Sequence, residues 1–259
     1  IEKHKLIPTT ASVINKAGAA QLTAIAYMNG HRADPHYITF VASAWQNDAI
    51  INNNLAALKD VTPLMRLFDS KGNYAVRADS PLKGAQDLVA ALKKDPGSVT
   101  FTMSAAPGSQ NWLTIIKFAQ VAGADPRKLR IGVNSSGAES TTAVLGGHAD
   151  IAIGGVEGSM ALIESGKLRN LGLISESRVT GTKIADWQTM KEQGVDAVSA
   201  NWYAMVGPRG ITADQVAYWE GVLQRAMDSD EVKKFALDSF RSRDTIASKD
   251  FQAFLDKEE

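Results

Sequence analysis

Three times between residues 98 and 165 a short β-rich run stops at a small-residue turn and restarts as an apolar-periodic helix. The run VTFTMS breaks into Ala105–Asn111 and resumes as WLTIIKFAQVAG. LRIGVN runs into Ser135–Glu139 and then STTAVLGG, and ADIAIGG ends in a glycine pair before VEGSMALIES. A strand, a tight turn and a helix start with a Ser cap leave unpaired backbone N–H groups at the C-terminal edge of a sheet, where anions bind. No nucleophile with a base lies in these turns, so they suit holding a small anion better than transforming it.

The same alternation extends over most of the chain and predicts a parallel sheet with helices on its faces. Strands are expected at 12–14, 37–42, 61–68, 74–76, 99–102, 130–133, 150–153, 170–175 and 202–206. Helices are expected between them at 21–28, 81–94, 110–122, 138–145, 156–165 and 186–193. From Thr212 onward the pattern is helical, opening on the cap-like Thr212–Gln215. The first residues read as the last turn of a helix stopped by Pro8, and FQAFLDKEE stops inside a helical pattern. A preceding strand and turn are therefore expected to be missing. At 259 residues with 44% apolar content the chain has enough material for two modest domains.

Charge excludes several partners. With 28 basic and 28 acidic residues there is no basic field for a nucleic-acid backbone or an anionic membrane. The absence of Cys removes thiolate metal sites, thiol nucleophiles and disulfides together. His4, His31, His36 and His148 lack metal-ligand spacing and read as surface residues, so no metal and no cofactor is expected. The segment GGVEGS at 154–159 lacks the Lys and spacing of a phosphate loop, and the formal glycosylation acceptor at Asn134 reads as coincidence. No apolar run approaches the roughly twenty residues of a membrane span, and no leader opens the chain.

Six phrases in order carry a resemblance: NKAGAA at 15–20, the strand and turn at 37–44, SAAPGS at 104–109, LGGHADI at 145–151, GKLRNL at 166–171, and Trp202–Tyr203 leading to Gly207–Pro208. Together they resemble the TctC/Bug family, the extracytoplasmic solute-binding proteins of tripartite tricarboxylate transport systems, over nearly the whole chain. The resemblance implies a two-lobed periplasmic binding protein of type II-like α/β fold. Each lobe would be a mostly parallel sheet flanked by helices, with a ligand in the cleft and capture by hinge closure. Lobe one would hold 1–103 and 207–259, lobe two 104–206, with crossings at 102–104 and 199–201. The family binds carboxylates through backbone amides and hydroxyls of its turns. On this chain those positions map to Ser43, Ala44 and Trp45 from lobe one, and to Ser104, Gly108, Ser109 and Asn111 from lobe two, with Gly137, Ala138 and Asp150 as further members. The implied protein is a periplasmic monomer without enzymatic activity, handing a di-, tri- or aromatic carboxylate to membrane transporter subunits. The chain departs from the family at Asn134–Gly137, where a Pro-Tyr-Lys-Gly-like segment is usual.

Each site residue also has a structural reading. Ser104 and Ser109 serve equally as turn and cap residues. Trp45 is either a core plug or a cleft wall. Trp202 and Tyr203, at consecutive strand positions, point to opposite faces, so only one of them lines a pocket; Trp202 is the assigned one. Asp150 can hold a loop through backbone N–H groups instead of meeting a ligand. A sensor module and an enzyme on the same scaffold are the rival functions, and the enzyme would have to draw its acid or base from Asp150, Glu139 or Glu157.

Overall fold

The computed structural model describes residues 1, 3–54, 56–104, 108–198 and 201–258; Ala105, Ala106 and Pro107 of the first turn and Ser199 and Ala200 of the expected second crossing lie outside them. The chain begins with α1 (Leu22–Asn29), β1 (Thr39–Ala42), α2 (Ser43–Ile51), α3 (Ala56–Lys59), β2 (Val61–Ser70) and β3 (Gly72–Arg77). It continues through α4 (Ala85–Lys94), β4 (Thr100–Ser104), α5 (Gln110–Val121), β5 (Arg130–Asn134), α6 (Gly137–Leu145), β6 (Ile151–Gly155), α7 (Val156–Glu164) and β7 (Leu168–Ile174). The last elements are β8 (Asn201–Pro208), α8 (Ala213–Met227), α9 (Asp230–Asp238), β9 (Arg241–Ser242), β10 (Ile246–Ala247) and α10 (Ser248–Glu258).

Contacts divide the chain into unit 1, Ile1–Asp69 with Asn201–Glu259, and unit 2, Ser70–Ala200. These divisions differ from the expected 103/104 and 206/207. The reason is pairing: β3 is hydrogen-bonded to β6 and β7, which puts 70–103 into the second sheet, and β8 pairs with β1 in the first.

Unit 1 contains a sheet ordered β1-β8-β2-β10 with β9 also on β2. β1 runs antiparallel to β8, and β10 antiparallel to β2, so this sheet departs from the mostly parallel expectation. Leu64, Met65, Leu67 and Phe68 of β2 pack on Trp219, Val222, Leu223 and Met227 of α8 and Ala236 of α9. α8 starts as its sequence predicts: Thr212 Oγ1 accepts from the Gln215 N–H at 3.3 Å, and the Gln215 side chain accepts from the Thr212 N–H at 2.8 Å. Residues 12–14 form no strand, and Val13 is 92% exposed.

Unit 2 contains a sheet ordered β5-β4-β6-β3-β7. β4 is parallel to β5 and to β6, whereas β3 is antiparallel to β6 and β7, so the sheet is mixed. Ala85, Leu88 and Leu92, spaced to share one face of α4, bury against Phe101 and Met103 of β4 and Ile115 and Phe118 of α5. Tyr74 is wholly enclosed there; its hydroxyl donates to the Thr114 carbonyl at 3.4 Å, and burial pushes the phenol well above its ordinary pKa. The helix expected at 186–193 is replaced by turns. Its backbone pairs instead with the open edge of β7, Leu173 N donating to Gln188 O and Met190 N to Leu173 O, both at 2.9 Å.

Candidate functional site

Because β4, β5 and β6 are parallel, their C-terminal ends share one edge of the unit 2 sheet, and α5, α6 and α7 all start there. Connections that run from β4 outward to β5 and then back across to β6 open a crevice at that edge, the usual ligand position in open α/β sheets. A cavity of about 210 Å³ occupies it. Its wall is built from Ser104 at the end of β4, Asn111 in the first turn of α5, Gly137, Ser140 and Thr141 of α6, and Ala152–Gly155 of β6. Glu157, Gly158 and Ser159 of α7 and Asn73 and Ala75 of β3 complete it.

Much of the polar lining is already paired. Ser159 Oγ donates to Asn73 Oδ1 at 3.1 Å, and Asn73 Nδ2 donates to Asn170 Oδ1 at 3.3 Å. Ser140 Oγ accepts from Asn134 Nδ2 at 3.2 Å, an amide that also donates to Thr102 Oγ1. Thr141 Oγ1 donates back to the Ala138 carbonyl at 3.0 Å. Against this, the side chains of Ser104 and Asn111 have no hydrogen-bond partner among the described residues. They stand beside three helix N-termini that carry partial positive charge. α7 has no side-chain cap: Val156 N donates to Lys71 O at 3.0 Å, and Gly155 at its N-cap offers nothing to the next N–H groups. The cavity wall therefore offers hydroxyl, amide and backbone donors, which suits an anionic guest.

The expected site residues separate into groups. Ser104, Asn111 and Gly137 line the cavity. Ser109 caps α5, its hydroxyl accepting from the Trp112 N–H at 3.4 Å, and Gly108 precedes it at φ +88°, a left-handed conformation that suits glycine. Neither lines the wall, and nor does Ala138 in the first turn of α6. Asp150 lies just before the start of β6, at the opposite end of the strand from the cavity. Its carboxylate accepts from the Thr100 N–H at 2.7 Å while its own N–H donates to Thr100 O at 2.9 Å, so it holds two strands together.

The unit 1 residues stand differently from the expectation of a turn. Ser43, Ala44 and Trp45 form the first turn of α2, where Ser43 Oγ donates to Asn201 Oδ1 at 3.1 Å and Ala44 is exposed. Trp45 is fully buried, which makes it a core plug, and its indole N–H is unpaired. Trp202 is buried as well, edge-on to Phe251 and Phe254 with centroids 5.4 and 6.1 Å away. Tyr203 points to the other face, stacked on Phe40.

Of the three acidic side chains, two are engaged. Glu139 accepts from the hydroxyl and backbone N–H of Ser135, and those two hydrogen bonds hold its carboxyl below the usual range, while Ser136 Oγ caps the helix by accepting from the Glu139 N–H. Glu157 alone faces the cavity. The glycine pair before it was visible in the sequence, but Asn73, Ser140, Thr141 and Ser159 carried no signal, since each reads as an ordinary strand or helix residue.

Comparisons agree with this architecture. The structure of a TctC solute-binding protein from Polaromonas superposes with a TM-score of 0.82 at 20% identity, covering 98% of this chain and 85% of that one. A protein from R. palustris solved with adipate gives 0.72 at 19% identity, over 91% and 78%. At these identities the likeness shows the fold, a two-domain α/β periplasmic binding protein. A curated relative, the UPF0065 protein in the gbd 5′ region of Cupriavidus necator, is 27% identical over 227 residues, which is 86% of this chain and 67% of the relative. The model of the tripartite tricarboxylate transporter family receptor matches residues 3–256, and the chain therefore belongs to the TctC family of solute-binding proteins.

Proposed function

We propose that this chain captures a small carboxylate in the unit 2 cavity and delivers it, in the periplasm and as a monomer, to the membrane subunits of a tripartite tricarboxylate-type transporter. The observation that carries the reading is the convergence of three helix N-termini on one cavity that also presents the Ser104 and Asn111 side chains, unpaired among the described residues. The adipate bound to the R. palustris neighbour supports a carboxylate as the guest. A carboxylate there gains about 0.3–1 kcal/mol per helix terminus and about 1.5–3 kcal/mol per charge-assisted hydrogen bond. Three or four such contacts, after ordering costs, reach the roughly 8 kcal/mol of a micromolar binder. Capture by closure of the two units is part of the proposal. It requires the radius of gyration in solution scattering to fall when ligand saturates the protein.

The reading assigns no catalysis: Asp150 and Glu139 are engaged in backbone contacts, which leaves an enzyme on this scaffold only Glu157 as acid or base. Melting curves with a panel of carboxylates, sugars and amines, followed by chromatography of each ligand, test the proposal. The expected result is a raised melting temperature with carboxylates and quantitative recovery of unchanged ligand. Stabilisation by sugars alone, or conversion of a ligand, contradicts it.

A further inference from the structure

The cavity has an acidic member that a simple carboxylate trap does not need. Glu157 lines it, is exposed, and has no hydrogen-bond or ion-pair partner among the described residues. The side chain folds back toward the start of its own helix: both carboxylate oxygens lie 2.6–2.7 Å from the point where a Cβ on Gly155 would stand. Only a glycine leaves it that place. A carboxylate at the first turn of a helix is itself the anion that the N-terminus attracts. Of the three helix starts at the cavity, those of α6 and α7 therefore already have an anion supplied by the chain, Glu139 and Glu157, and of these two only Glu157 lines the wall.

No Arg, Lys or His is among the lining residues, so nothing in the wall neutralises Glu157. We infer that Glu157 is a specificity-determining residue: it disfavours a second carboxylate on the ligand and accepts a hydrogen bond from a hydroxyl or ammonium group instead. The ligand class is then a carboxylate with a donor at its far end, an amino acid or a hydroxy acid. Its carboxylate is directed to Ser104, Asn111 and the start of α5, the one helix start of the three without an acidic first turn. This assignment rests on the proposed carboxylate site and refines it. Discrimination arises on both sides, since a like charge beside Glu157 is repelled and a neutral apolar end leaves the carboxylate without a partner.

Matched ligands isolate the effect. Calorimetric titrations of the full chain would compare succinate, 4-hydroxybutyrate, 4-aminobutyrate and butyrate, and then adipate, 6-hydroxyhexanoate and 6-aminohexanoate to allow for length. Wild type is expected to bind the hydroxy or amino member at least about tenfold more tightly than the dicarboxylate of equal length. Glu157→Gln, which keeps the side-chain volume, is expected to abolish or reverse that order by improving the dicarboxylate. Glu139→Gln, at an equivalent helix start but outside the wall, is expected to leave the order unchanged and controls for altered helix stability. A dicarboxylate that binds wild type as tightly as its amino and hydroxy counterparts overturns the inference, as does an order that persists in Glu157→Gln. Absence of binding by every probe to both variants overturns the carboxylate site itself, and the inference with it.

Discussion

Ser104 and Ser109 close the same turn and behave differently. The Ser109 hydroxyl accepts from the Trp112 N–H, whereas Ser104 is at the cavity wall and its side chain has no hydrogen-bond partner among the described residues. Ser109→Ala should therefore lower stability by about 1 kcal/mol through the lost cap, while Asn111→Ala, which removes a cavity donor, should weaken carboxylate binding by about 1 kcal/mol or more. Paired melting and titration experiments check both; equal affinity losses in the two variants would show that the cap and the wall are not separate. Ser, Gly and Pro mark a turn there in the sequence, and its residues 105–107 lie outside the described ones. The sequence could not tell which hydroxyl faces inward, since that depends on where α5 starts and how it rotates against β4. Asp150 shows the same limit: proximity in sequence to a glycine pair put it near the site, yet it lies just before the strand whose other end forms the wall. At the surface of unit 1, Glu231 holds Lys3 and His4, and its carboxyl is lowered to about 2, first by the Lys3 hydrogen bond. A depressed carboxyl stabilises above its unfolded pKa and loses that contribution as pH falls toward the folded value. Acid titration from about pH 4.5 to 2 should thus loosen the Lys3–His4 contact with α9, and Glu231→Gln should remove that dependence in hydrogen exchange of residues 3–7.

Among the elements, the strand-to-helix repeats of unit 2 were legible because period-two runs change to helical periodicity at turn residues. Elsewhere the reading failed, as α2 and residues 186–193 show. α2 follows β1 without a turn residue, and SAWQNDAII buries Ser43, Trp45, Gln46 and Ala49, leaving Ile50 and Ile51 outside, so no clean amphipathic pattern announces it. At 186–193 the apolar spacing suggested a helix, but the free edge of β7 claims the backbone groups that a helix would bond internally. That docking depends on a close approach at Gly172, where a Cβ would stand 2.7 Å from Met190 Sδ and 2.8 Å from Gln193 Nε2. Met190 is 1% exposed, and Gln193 donates to the Leu171 carbonyl at 2.9 Å, so neither side chain yields freely. Gly172→Ala is expected to destabilise the protein by about 1–3 kcal/mol, read from denaturant unfolding. Wild-type stability in this variant would mean that the segment does not pack on β7 as described.

At the scale of the molecule, the fold class was legible and the first boundary between units was not. The resemblance placed the first crossing near 103, whereas the pairing of β3 with β6 and β7 carries it back to 69/70, because an antiparallel strand from earlier in the chain enters the second sheet. Such long-range pairings leave no local trace. The central claim is that one edge of that second sheet, where three parallel strands release three helices, receives a carboxylate. Amide chemical shifts recorded during a titration with the tightest-binding member of the carboxylate panel test it most directly. The largest saturable changes are expected at Asn111, Gly137, Glu157 and Gly158, accompanied by the Asn111 side-chain amide. Saturable binding that leaves those amides in place and moves others would contradict it.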